Sequence, residues 1–421
     1  MMNGTPITAL PLDAEPPAPG DGHWAPVFAG FLGWTLDAFD FFLVVMCQVE
    51  IGKTFNATKE QMAFAIAISL FFRPVGALIF GLLADRYGRR LPLMLDLVFY
   101  SIVEVASGLA PNYTTFLVLR ALFGIGMGGE WGVGASLAME KVPPKLRGVL
   151  SGLLQEGYAM GYLLAAASFG IIAPRWGWRP LFFIGGLPAI LALFVRYHIK
   201  ESEVWERTKS KDWSSLIKAI FANWKPFLYL VALMAAMNFA SHGTQDLFPR
   251  LLRDDHQFSQ HRVSWITVVM QVGAILGGLV FGYLSDRIGR RWAMVLAFVL
   301  AILIIPMWAF SHSLVPLVTG AFLIQFMVQG AWGVIPAHIN ELSPDSVRGF
   351  LPGFSYQCGV LIAATVDLIE PILSNRYGLA KAMAIVAAAV FFGAALITAL
   401  GREKKGVTFG EGQPTPAGGF P

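Results

Sequence analysis

The decapeptide GLLADRYGRR at Gly81–Arg90 returns as GYLSDRIGRR at Gly282–Arg291, 201 positions further on, with seven of ten residues identical. Each copy stands between two long apolar runs. A repeat of that period, set in hydrophobic sequence, means a membrane protein built twice from one plan.

Composition agrees. Of 421 residues, 56% are hydrophobic and 14% charged, and the mean hydropathy is +0.60. Forty-four glycines and thirty-three phenylalanines suit closely packed membrane helices, where small residues let backbones approach. The formal net charge of +4 is scattered among loops, so no nucleic-acid surface is expected. Cys47 and Cys358 lie far apart in apolar sequence, which offers neither a disulfide framework nor a metal-ligand spacing.

Apolar runs of about 20 residues, enough to cross hydrocarbon, fall near 25–50, 62–84, 91–110, 114–139, 147–173, 179–198, 224–248, 262–284, 292–310, 314–341, 349–372 and 377–400. The expected fold is an all-α membrane protein, with twelve transmembrane helices in two pseudo-symmetric six-helix bundles at 24–199 and 223–401. Residues 1–23 carry no Lys or Arg and no signal-peptide pattern. They and 402–421 are expected to be disordered tails. In the linker, 200–222, the side chains Leu216, Ile217, Ile220 and Phe221 have the spacing of an amphipathic helix on the inner surface, with a simple tether between the halves as the equal alternative. With both termini inside, 20 Lys and Arg residues are cytoplasmic and nine lie opposite, while Arg73 and Arg120 fall within spans. That bias predicts a multi-pass inner-membrane protein with both termini cytoplasmic.

The 201-residue offset carries beyond the loop. Trp131 matches Trp332, Glu140 matches Glu341, and Arg147-Gly148 matches Arg348-Gly349. Parallel six-helix halves with this loop signature resemble the major facilitator superfamily over essentially the whole chain. The resemblance implies a transporter whose two loops lie on the cytoplasmic face and stabilise closure there. It gives that gating role to Asp85, Arg86 and Arg90, and to Asp286, Arg287 and Arg291.

An ionised side chain in hydrocarbon costs roughly 2.5–3.5 kcal/mol on insertion scales, so each should face a partner or a wet cavity. Asp37 and Asp40 share a face of the first span. Arg73 precedes Asp85 by twelve residues, which puts it about 18 Å from the loop, near mid-membrane. Arg120 and Glu130 lie in the fourth span, Glu156 in the fifth, His242 and Asp246 in the seventh. At repeat-related positions the second half has Asn238 for Asp37, Ser241 for Asp40 and Ala321 for Arg120. Scaffold needs would favour symmetry, so the asymmetry points to chemistry, with mutual structural pairing as the competing reading.

The seventh span reads NFASHGTQD over Asn238–Asp246. It closely resembles the N-x-x-S-H-x-S/T-Q-D motif of Jen-type lactate and monocarboxylate proton symporters, in the sialate/lactate proton symporter branch of the superfamily. The position four after the Asp, Thr in the fungal motif, is Arg250 here. LLQEGYAMGYLLAA around Gln155 and FSYQCG around Gln357 are also similar to that branch. The resemblance implies proton-coupled symport of a small monocarboxylate of the lactate or pyruvate kind.

A carboxylate in a dry site needs a cation or several donors, and Arg presents a permanently charged fork. Arg73 is the first choice by depth and Arg120 the second, joined by Asn238, Ser241, His242, Gln245 and Gln357. For Arg73 the rival reading is a salt bridge to Asp37 or Asp40; for Arg120 it is helix packing. His242 with Asp246 is the expected proton-coupling pair, with Asp40, Glu130, Asp37 and Glu156 as alternatives. His338 is a further cavity candidate. No cofactor is expected beyond the co-transported proton, and no metal. The expected partners are the small carboxylate substrate, the proton and the lipid bilayer, with the chain a monomer. Proton-coupled sialic acid or other organic-acid symport stays open, as does a neutral-solute, sugar-like facilitator. An enzyme would need a nucleophile or metal set that the His, Cys and Glu spacings do not offer.

Overall fold

The computed structural model describes residues 22–210 and 212–411; no strand occurs among them. The first half holds α1 (Trp24–Phe55), α2 (Lys59–Tyr87), α3 (Arg90–Gly108), α4 (Tyr113–Lys141), α5 (Arg147–Gln155), α6 (Gly157–Trp176), α7 (Arg179–Ile184) and α8 (Pro188–His198). Two linker helices follow, α9 (Glu203–Thr208) and α10 (Trp213–Ala222). The second half holds α11 (Trp224–Gln245), α12 (Phe248–Asp254), α13 (Gln260–Ile288), α14 (Arg290–Phe310), α15 (Leu314–Leu342), α16 (Leu351–Ala363), α17 (Val366–Tyr377) and α18 (Leu379–Leu400).

Ten helical stretches among the described residues are long and apolar enough to cross a membrane, taking α5 with α6 and α11 with α12 as one each. The remaining two spans are α7 with α8 and α16 with α17, each split by a turn. Gly185 and Gly186 before Pro188 explain the first split, because glycine weakens the helix and proline removes a donor. Helix starts follow ordinary capping chemistry. Thr58 and Gln61 form a capping box on α2, and Asn112 and Ser259 accept from the first turns of α4 and α13.

Packing repeats with the sequence. α2 lies along α4 as α13 lies along α15, α3 on α4 as α14 on α15, and α1 on α6 as α11 on α16. Across the halves, α5 meets α13 and α2 meets α16, again a related pair. A methyl group at Gly128 would run into the Arg73 carbonyl, so glycine there permits backbone contact between α4 and α2. Gly277 of α13 does the same against Phe326 of α15.

The linker departs from a simple tether. α10 packs on α2 and on the turn Asp345–Val347 of the second half, with Leu216 buried and Ile217 and Phe221 exposed. The expectation of a disordered tail from residue 402 is corrected through Glu411. Arg147 donates to the Val407 carbonyl at 3.0 Å, and Phe409 is buried. The tail expected at 1–23 falls outside the described residues up to position 21, and the other lies outside them from 412 onward.

Candidate functional site

The face carrying the two repeated loops is shut by a pair of matching clamps. Asp85 accepts from the amides of Gly349 and Phe350 at 2.7 and 3.0 Å, and so caps the chain entering α16 of the other half. Asp286 accepts from the amides of Gly148 and Val149 at 2.9 and 3.0 Å, at the start of α5. A carboxylate is favoured at a helix N-terminus, where unpaired N–H groups point outward. The motif glycines, Gly88 and Gly289, both have φ of 102°, a region that favours glycine, and both follow directly on a transmembrane helix.

The arginines that complete the clamps differ from those expected. Arg89 bonds Asp85 at 2.8 Å and Glu140 at 3.1 Å; Arg290 bonds Asp286 at 2.7 Å and Glu341 at 3.0 Å. Arg86 lies over Tyr87, Arg287 reaches the Tyr283 hydroxyl, and Arg291 donates to the Gly401 carbonyl. The Arg90 amide donates to Glu201. Among the described residues, Arg86, Arg287 and Arg291 form no ion pair with the clamp carboxylates. Across the halves, Arg147 pairs with Glu341 at 3.0 Å and Ser136 donates to the Arg348 carbonyl at 2.8 Å.

On the far side of this seal lies a cavity of about 400 Å³. Its lining positions fall mainly in the halves of α1, α2, α11 and α13 away from the loops, so it faces the opposite side. The first half contributes a cation and aromatic rings: Arg73, Trp34, Phe41, Phe42, Tyr158 and Tyr162. The second half contributes mostly polar groups, with Asn238, Ser241, His242, Gln245, Asp246, Gln271 and Gln329 beside Trp332 and Tyr356. Helix breaks help to form it. Gln155 ends α5, and Asp246 follows the last residue of α11.

Arg73 is 4% exposed, and its buried Nε and Nη2 atoms have no hydrogen-bond partner. Its guanidinium carbon lies 5.6 Å from the Tyr356 ring centroid. Asp37 is an electrostatic neighbour, yet no carboxylate among the described residues comes within ion-pair distance of Arg73. His242 Nδ1 stands 2.9 Å from Asp246 Oδ2, and both side chains are more than a third exposed to the cavity. Trp332 donates to Ser241 at 2.7 Å and Gln245 to Gln325 at 2.8 Å. Trp34 stacks on Tyr158 at 5.3 Å between centroids.

Several expected site residues lie elsewhere. Arg120 is fully buried outside the cavity wall, bonded to Glu104 at 2.5 Å and to Ser107 at 2.5 Å. The rings of Phe116, Phe123 and Phe182 surround its guanidinium. Helix packing, the rival reading, accounts for its placement. Asp37, Asp40 and Glu130 are buried beneath the wall, with Asp96 and Glu104 among their electrostatic neighbours. Glu156 packs against Gly278 at the contact between halves. Gln357 and His338 are buried, with both of their polar side-chain atoms unpartnered, and neither lines the cavity.

Sequence reasoning missed Asp96 and Glu104, acids inside the third apolar run, although an acid there could have been sought as the partner of Arg120. It also passed over Arg89 and Arg290 as clamp residues, although both copies of the loop hold them at the same offset. The aromatic wall gave no signal, because thirty-three phenylalanines and twelve tryptophans spread over every span.

Comparison with known proteins agrees with the fold. The family model described as Major Facilitator Superfamily matches residues 28–253, and that described as Sugar (and other) transporter matches 226–401. The chain is 30% identical over 422 residues to a carboxylic acid transporter protein homolog of Saccharomyces cerevisiae, covering 91% of this chain and 68% of the relative. It is 30% identical over 383 residues to the sialic acid transporter NanX of Escherichia coli, covering 89% and 93%. The solved structure of the proton:xylose symporter XylE superposes with a TM-score of 0.76 at 17% identity, covering 92% of this chain and 98% of that one. The family model over residues 28–253 and the relatives at 30% identity, together with two pseudo-symmetric halves clamped at the repeated loops, identify the chain as a member of the Major Facilitator Superfamily.

Proposed function

We propose that this protein is a proton-coupled symporter of a small carboxylate, working by rocking its two halves about the cavity. The observation that carries the reading is Arg73. A permanently charged fork at the cavity wall, with no carboxylate at ion-pair distance among the described residues, suits an anion. Across the wall from the first half, His242 and Asp246 can hold or release a proton beside that anion. The names of the relatives point the same way, since carboxylic acid, sialic acid and niacin transporters are among them.

Within that class a ring-bearing acid is the second reading, favoured by the wall itself. A three-carbon acid such as lactate would leave most of the roughly 400 Å³ wet, whereas a ring could pack on the partly exposed Tyr158 or Tyr162. The amides of Gln155, Gln271 and Gln329 would then meet ring substituents. The loop face is cytoplasmic in this scheme, so the cavity described opens outward and takes acid and proton together.

Purified protein in vesicles with an alkaline lumen tests the reading. Uptake of labelled lactate, benzoate and a sugar acid should rise with the imposed gradient for at least one of them. Uptake of a neutral sugar with no gradient dependence would replace the proposal with a facilitator.

A further inference from the structure

The chain leaves α18 and runs back over the closed face towards the other half. Glu403 accepts from the Arg291 amide at 2.9 Å, and Lys405 donates to the Asp286 and Arg287 carbonyls at 3.3 and 2.9 Å. Past Lys405 the contacts span both halves, Arg147 in the first and Asp345 in the second. The Val407 carbonyl accepts from Arg147, and the Gly410 amide donates to Asp345 at 3.1 Å. Between them the Phe409 ring is wedged between two guanidiniums. Its centroid is 3.9 Å from the Arg147 carbon and 3.8 Å from that of Arg348. Val27, Met139 and Leu150 of the first half and Ala337 of the second belong to the same apolar cluster.

We propose that residues 402–411 are a latch, in which Phe409, tethered to the second half, docks on Arg147 of the first half and holds the loop face shut until that face opens. Arg147 and Arg348 belong to different halves, and each also lies near an acid of the opposite one, Glu341 at 3.0 Å and Glu140 at 3.7 Å. Rocking the halves apart separates the two arginines, so no position of the ring keeps both. The Val407 bond to Arg147 must break in the same movement. Partly desolvated cation–π contacts of this kind shift an equilibrium by about tenfold each.

The inference rests on the alternating-access reading, but it is tested without substrate or pH gradient, so it can fail independently of uptake. Spin labels at Lys145→Cys and Ile288→Cys sit on exposed positions of the two halves at the closed face. The background carries Cys358→Ala, while Cys47 is fully buried. Pulsed electron resonance then reads the distance between the labels. Phe409→Ala should raise the ratio of long to short distances about tenfold, and Phe409→Trp should retain the parent distribution. An unchanged distribution in Phe409→Ala, or an equal opening in Phe409→Trp, overturns the latch. Should Phe409→Ala not yield folded protein, the chain ended after Lys405 carries the test with the same outcomes.

Discussion

Arg73 and Arg120 are both buried arginines of the first half, and their surroundings differ. Each keeps two side-chain nitrogens without a hydrogen-bond partner. Arg120, however, is ringed by a carboxylate, a hydroxyl and three aromatic rings, whereas Arg73 lines the cavity with no carboxylate at ion-pair distance among the described residues. Substitution should separate them. Arg73→Lys keeps the charge but loses the fork, and should raise the KM for the transported acid by about 10- to 100-fold, the worth of a charge-assisted hydrogen bond. Glu104→Gln leaves Arg120 buried without its counter-charge, and should lower stability by about 3–5 kcal/mol with the KM little changed. Denaturant or thermal unfolding in detergent, set beside uptake kinetics, checks both. The paired change Glu104→Leu with Arg120→Met should be milder than Glu104→Gln alone, because no charge is then stranded.

The repeated decapeptide shows at the scale of elements why it had to recur. Its Asp caps a helix of the opposite half, its Gly takes the φ of 102° at the helix end, and its penultimate Arg ties the Asp to a second acid. Gly289→Ala should destabilise the protein by about 1–2 kcal/mol through backbone strain at that angle alone. A further clash with the nearby Glu403 side chain adds to it. Asp286→Asn weakens a cap between halves and should favour opening of the loop face, seen as faster labelling of a cysteine placed at the buried Ser285. Twelve spans, their two-fold order and the loop motif were legible from hydropathy and the 201-residue offset. The splits in α7–α8 and α16–α17 were not, because apolar periodicity registers a span's length and is blind to a turn inside it.

At the scale of the whole molecule, the mismatches between halves fall at the cavity wall at some positions and in the buried core at others. Asn238 and Ser241 line the cavity, while their repeat partners Asp37 and Asp40 lie buried beneath its wall. Sequence offset locates a residue along a helix, whereas the choice between wall and core depends on helix rotation, which packing alone decides. The wall that results is divided, with cation and rings from the first half and amides and the His242–Asp246 pair from the second. A substrate bridging both would be released when the halves rock apart, which links binding to the conformational cycle.

The proposed symport requires carboxylate and proton to move together through this cavity, and that is measurable in a single vesicle preparation. A pH-sensitive dye sealed inside proteoliposomes should report lumen acidification when an accepted acid is added outside, in step with uptake of the labelled acid. Empty vesicles correct for passive entry of the neutral acid. The signal above that correction should vanish in Arg73→Gln and persist in the paired Glu104→Leu, Arg120→Met variant. Labelled acid entering with no protein-dependent change in lumen pH, or an unaltered signal in Arg73→Gln, would contradict the account.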